Sequence, residues 1–132
     1  MNEITAFIDG SNIYGSDKET CDKLRSHTDG LMKTHSKFEA SNLPMQSQCN
    51  LGSRGIHGHG DHPSDLVAGD KRATIQPALV AMHTLFLNEH NRIAKGIKPF
   101  LAKKTLHMTS KTQDELIFQA VIASFTVSQF AP

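Results

Sequence analysis

Four stretches of this chain hold residue types that do chemistry. The first is Thr5-Ala6-Phe7-Ile8-Asp9-Gly10-Ser11, where oxygen-bearing side chains stand at Thr5, Asp9 and Ser11 with the Phe7 carbonyl between them. An alternating segment aims such oxygens to one side, and hard cations such as calcium take six to eight oxygens of this mixed kind. One carboxylate is little charge for a tight site, so a further acid has to come from elsewhere. Read without any cation, the same residues make a strand followed by a polar turn. The second stretch is Ala68-Gly69-Asp70-Lys71-Arg72. The guanidinium of Arg72 is always charged. Projected into a cleft, it can stabilise negative charge developing on an oxygen. The plain alternative is a helix-start ion pair between Asp70 and Arg72.

The third stretch runs from Met82 to Arg92 and carries His83 and His90, seven apart on an apolar stripe. Histidines so placed are ligands or, more commonly, core residues whose ring nitrogens are satisfied. Glu89 and Arg92 are spaced to pair on a helix surface. The fourth is His57-Gly58-His59-Gly60-Asp61-His62, rich in types that suit zinc, copper or nickel. Its spacing is not that of a structural zinc site, and a solvated Gly/His loop is the simpler reading.

These stretches need elements to hold them. Ser16 with Glu19 reads as a capping box opening a helix from about Asp17 to Ser26. Residues 27–71 show no sustained period and many Ser, Gly, His, Asn and Asp residues. That marks a long irregular connection, uncommon inside a compact domain unless functional. Residues 77–98 form the clearest helix, with Pro77 in its first turn, Leu79, Met82, Phe86, Ile93 and Ile97 on one stripe, and Gly96 and Pro99 at its end. A last helix opens at the Thr112–Glu115 capping box and is apolar on most sides, which calls for burial beyond what one neighbouring helix supplies.

The chain has 132 residues and a formal net charge of +1, from 14 basic and 13 acidic side chains. No basic run argues for nucleic acid. No apolar run approaches the roughly 18 residues of a membrane span. The first residues lack the basic and apolar segments of a signal peptide. Two cysteines, Cys21 and Cys49, are too few for a disulfide framework. They pair with each other, pair outside the chain, or stay free.

Taken in order, three of these stretches resemble the animal haem peroxidases. Thr5-Ala6-Phe7-Ile8-Asp9-Gly10-Ser11-Asn12-Ile13-Tyr14-Gly15-Ser16 is similar to that family's calcium loop, and Ala68-Gly69-Asp70-Lys71-Arg72-Ala73 to its distal-arginine motif. Met82-His83-Thr84-Leu85 with Glu89-His90-Asn91-Arg92-Ile93-Ala94 is similar to the helix that follows. The resemblance implies a mainly α fold with long irregular loops, residues 1–132 being a central part of a haem peroxidase domain. It implies calcium held by Thr5, the Phe7 carbonyl, Asp9 and Ser11, and Arg72 beside haem and hydrogen peroxide as the catalytic cation. A halide or small organic donor is then oxidised, in a secreted, extracellular setting. His83 and His90 stay structural, because the family's haem histidines belong to segments upstream and downstream of these motifs. On that reading the chain is inactive alone.

Three departures accompany the resemblance. Where the family usually carries a glutamate ester-linked to haem, this chain has Ile75, followed by Gln76. Asp65 stands about where many relatives have a cysteine, which removes the usual local partner of Cys49. The stretch Thr126–Pro132 departs from the family's continuation. Two other functions stay open at this point: a non-catalytic extracellular-matrix protein of peroxidase descent, and a small metal-binding protein using His57–His62.

Overall fold

In the computed structural model the described residues are 9–35, 42–51, 65–104 and 107–128. They form α1 (Ser11–Tyr14), α2 (Lys18–Leu24), α3 (Gln46–Cys49), α4 (Pro77–Lys104) and α5 (Ser110–Ser128). Extended pairing among them is limited to isolated bridges, Arg25 with Met32 and Met45 with Leu66. The fold is mainly α, as expected, and the described parts of 27–71 are irregular apart from α3.

Helix α2 begins one residue later than the Ser16 capping box predicts. Asp17 is the cap: its carboxylate accepts from the Thr20 amide at 2.8 Å and from the Thr20 hydroxyl at 2.7 Å. A carboxylate at this place satisfies an orphan donor and meets the positive end of the helix. Glu19 instead pairs with Lys23 on the surface. The helix stops at Leu24 rather than Ser26, because Arg25 turns extended to bridge Met32.

Helix α4 is longer than predicted and runs through Pro99 to Lys104. A proline inside a helix removes one backbone donor and crowds the preceding turn. Packing on both sides of it compensates, since Ile93, Ile97 and Leu101 all rest against the α5 cluster of Ile117, Val121 and Phe125. The buried stripe of α4 is His83, Leu87, His90 and Ala94, with Val80 partly buried at its head. Leu79 and Met82, predicted on that stripe, face outward instead, 38% and 49% exposed. His83 and His90, expected on the same stripe, are buried like the aliphatics, and Phe86, Ile93 and Ile97 are partly buried beside them.

Helix α5 starts at Ser110, ahead of the predicted box. Thr109 caps it, its hydroxyl accepting from the Thr112 amide at 3.3 Å. Burial on all sides is not what the described residues show: Ile117, Phe118 and Val121 pack inward, while Leu116 is exposed. The main core joins α1, α2, α4 and α5 through Ile13, Tyr14, Leu24, Met32, Leu87 and Phe118. Cys21 and Cys49 are both free thiols. Burial pushes both thiols above their ordinary range, which leaves them protonated and poorly nucleophilic.

Candidate functional site

The segment 65–76 delivers Arg72 to the surface at the head of α4. Its backbone is pinned from below. Val67 donates to the Pro44 carbonyl at 2.9 Å, and Asp70 donates to the Asn12 carbonyl at 3.1 Å. Between them Gly69 lies flat on α1: a Cβ there would fall 2.3 Å from the Gly15 nitrogen and 2.6 Å from the Ile13 carbonyl carbon. No side chain fits that approach, which is the physical use of glycine here. Ala73 and Ile75 then donate to the carbonyls of Asp70 and Arg72, closing a turn that leads into Pro77.

Arg72 folds back onto Asp70. Its amide donates to Asp70 Oδ1 at 2.9 Å, Nε lies 3.1 and 3.2 Å from the two carboxylate oxygens, and Nη2 donates to Oδ2 at 2.7 Å. The Asp70–Arg72 ion pair that stood as the plain alternative is therefore present, and Arg72 lies on the surface rather than in a cleft formed by the described residues. The two partners differ in exposure, with the Arg72 side chain 56% exposed and that of Asp70 11%. The Arg72 hydrogen bond holds the Asp70 carboxyl below the usual range against the opposing effect of burial, and the nearby His83 acts in the same direction. His83 lies buried, and desolvation lowers its pKa against the opposing pull of Asp70 and of its hydrogen bond to the Asn12 backbone.

The histidines occupy the core. His90 is completely buried, with Nδ1 2.8 Å from the Tyr14 hydroxyl and Nε2 2.8 Å from the Gly30 carbonyl. Both ring nitrogens are engaged, which agrees with the structural reading. Asn91 exchanges hydrogen bonds with the Met32 backbone at 2.8 and 3.2 Å, so a side chain on α4 mimics a strand neighbour. The predicted Glu89–Arg92 surface pair is present at 2.7 Å.

Of the predicted calcium ligands, Thr5 and Phe7 lie outside the described residues, as does the His57–His62 loop. Asp9 is exposed, and its Oδ1 accepts from the Ser11 amide at 3.0 Å. Ser11 opens a helical turn rather than continuing an alternating strand. Asp9 and Ser11 offer hard oxygens, the right chemistry for calcium. Among the described residues no group of three or more His, Cys, Asp or Glu side chains could hold a metal. No described helix is long and apolar enough to cross a membrane.

The core cavity beside His83 is far too small for a haem. The cavity between α1 and α4, lined by Ile13, Met32, His83 and Leu87 among others, measures about 10 Å³, scarcely one water. The outer face is different. Following Arg72, the side chains of Ile75, Leu79, Met82 and Leu85 are all exposed. An apolar strip headed by a fixed cation suits a flat apolar macrocycle with anionic carboxylates, so these residues fit one wall of a haem site. Ile75 offers no oxygen there for an ester.

Comparison with known proteins agrees. The animal haem peroxidase family profile matches residues 1–124. The chain is 38% identical over 102 residues to peroxidasin homolog pxn-1 of Caenorhabditis elegans, covering 74% of this chain and 8% of that protein. Human thyroid peroxidase is 37% identical over 107 residues, covering 74% and 11%. Mouse myeloperoxidase is 35% identical over 107 residues, covering 74% and 14%. Peroxidase A from Dictyostelium discoideum superposes with a TM-score of 0.73 at 26% identity, over 95% of this chain and 23% of that one. The fold is that of a haem peroxidase in part, and the chain belongs to the animal haem peroxidase family. It spans a small fraction of the length of each of these relatives.

Proposed function

We propose that residues 1–132 form the central part of a haem peroxidase domain that reduces hydrogen peroxide while oxidising a halide or small organic donor. Arg72 is the catalytic cation. The observation that carries this is a guanidinium held on the protein by its Nε–Nη2 edge, with Nη1 outside that grip, on the turn that leads to the exposed Ile75, Leu79 and Met82. Haem, when bound, supplies the redox chemistry. Arg72 then holds a peroxide oxygen and stabilises negative charge on the departing oxygen as the O–O bond breaks. Ile75, Leu79 and Met82 exclude water from that side. Calcium belongs to Thr5, the Phe7 carbonyl, Asp9 and Ser11, where it would tie the start of α1 to the remainder of the domain. The family resemblance supports a secreted, extracellular protein. The segment is inactive by itself.

Arg72→Ala in the complete haem-loaded domain tests this reading. Stopped-flow absorbance should show the reaction with peroxide slowed on the order of 100- to 1,000-fold, the usual effect of removing one preorganised donor. Arg72→Lys should recover only part, because a point charge does not reproduce the planar fork. A near-normal rate in a folded, haem-loaded Arg72→Ala protein overturns it.

A further inference from the structure

An arginine on a surface turn does not keep one orientation unless something holds it, and a single exposed ion pair rarely does. Here the holding group is itself fixed. Asp70 is nearly buried, its amide is bonded to the Asn12 carbonyl, and the preceding Gly69 is wedged against α1. Bidentate contact between a carboxylate and a guanidinium adds direction as well as attraction. We propose that Asp70 is the positioning residue for Arg72: its backbone is anchored on α1, and its carboxylate grips the Nε–Nη2 edge and fixes where Nη1 points. The consequence for peroxide rests on the reading of Arg72 given above, whereas the grip itself is a property of the fold. Asp70 also balances the charge of Arg72, so the pair is neutral overall while Nη1 stays outside the grip.

Asp70→Asn separates these effects. An amide puts one NH2 group against the Nε–H and Nη2–H donors, so the bidentate grip is lost while the backbone bond to Asn12 is kept. In ¹⁵N NMR of the chain, the Arg72 Nε–H should be slowly exchanging and shifted away from exposed arginines, and Asp70→Asn should return it to their position. In the haem-loaded protein, Asp70→Asn should slow the peroxide reaction roughly 10- to 100-fold, the scale expected of a small misplacement. Asp70→Glu should give an intermediate loss, and it serves as the test if the Asn variant does not fold. The double-mutant cycle is decisive. If Asp70 acts through Arg72, the loss from Asp70→Asn disappears in the Arg72→Ala background. An equal loss in both backgrounds, or an Arg72 Nε–H unmoved by Asp70→Asn, overturns the positioning role. A normal rate for Arg72→Ala with a shifted Nε–H overturns the catalytic reading and leaves the grip standing.

Discussion

The Nδ1 of His90 lies 2.8 Å from the Tyr14 hydroxyl, although 76 positions separate the two residues. The opposite nitrogen, Nε2, faces the Gly30 carbonyl, which can only accept. Nε2 therefore carries the proton, Nδ1 accepts, and the Tyr14 hydroxyl donates. Burial raises the phenol's pKa far above its ordinary value, which keeps that proton in place. One neutral imidazole thus joins α1 and the loop after α2 to α4. Asn12, in α1, holds Asp70, so the core bond at His90 is the foundation of the Arg72 turn.

Replacing His90 by Phe keeps the ring and removes both bonds. The Tyr14 hydroxyl and Gly30 carbonyl are then buried without their partner, at about 1–3 kcal/mol each. We expect urea denaturation to show a loss of roughly 2–4 kcal/mol. A loss below about 0.5 kcal/mol, the usual scatter of surface changes, would contradict the hydrogen-bonded core.

Acid should weaken the fold early. The pKa values of His83 and His90 are both lowered chiefly by burial. In the unfolded chain each binds its proton near pH 6.5. Between that value and the lower folded one, the unfolded state holds more protons, so stability rises with pH there. The contribution is complete above about pH 6.5 and is lost as pH falls through the window below it. The slope should approach about 1.4 kcal/mol per pH unit for each histidine. Asp70 and Glu115, whose folded pKa values are lowered, lose their contributions only at more acid pH. Stability measured from pH 7.5 to 5 should fall, and the fall should shrink in His90→Phe. A flat profile contradicts neutral, buried histidines.

Arg25 is the second fixed cation. It reaches Asp114 at 2.8 Å and Glu115 at 2.6 Å, and its guanidinium carbon lies 3.9 Å from the centre of the Phe118 ring. Asp114 also accepts from the Gly30 amide at 2.6 Å. Arg25→Met leaves the buried Asp114 carboxylate without its cation, and breaking such a pair typically costs about 3–5 kcal/mol. Thermal melting of the variant checks this; an unchanged midpoint would show the pair to be dispensable.

The helical class was legible because apolar residues of α4 and α5 recur at helical spacing. The helix limits were less so. Pro99 ends a helix by local rules, yet Leu101 and Ile97 are packed on α5 and hold the turn between them. Ser16 and Asp17 are both good caps, and only the geometry at Thr20 chooses Asp17. Leu79 and Met82 share the helical spacing of the buried residues, and spacing does not show how far round the helix the core reaches. The Asp70–Arg72 contact could be read from spacing, because the residues are two apart. Its anchoring on Asn12 and Gly15 could not, since those contacts join residues more than 50 positions apart. The same holds for Arg25 with Asp114 and Asn91 with Met32: each residue is unremarkable locally, and the partner is set by tertiary packing.

Hemin added to the 132-residue chain alone should bind weakly and without fixed stoichiometry. The exposed apolar residues after Arg72 offer at most one wall for a haem, and His83 and His90 are buried in the core rather than among them. Axial ligation anchors iron in haem proteins of this kind. Absorbance titration checks this, and a sharp one-to-one complex with strong peroxide turnover would contradict it.

On the function proposed above, the Arg72 end of α4 faces the haem. Arg92 is the internal control, exposed on the same helix about 22 Å along its axis from Pro77. The direct measurement is paramagnetic broadening of arginine Nε–H signals in the complete haem-loaded domain, with a diamagnetic zinc porphyrin as reference. Strong broadening is expected at Arg72 and little at Arg92. Equal broadening at both, or none at Arg72, would place the haem elsewhere and contradict that function.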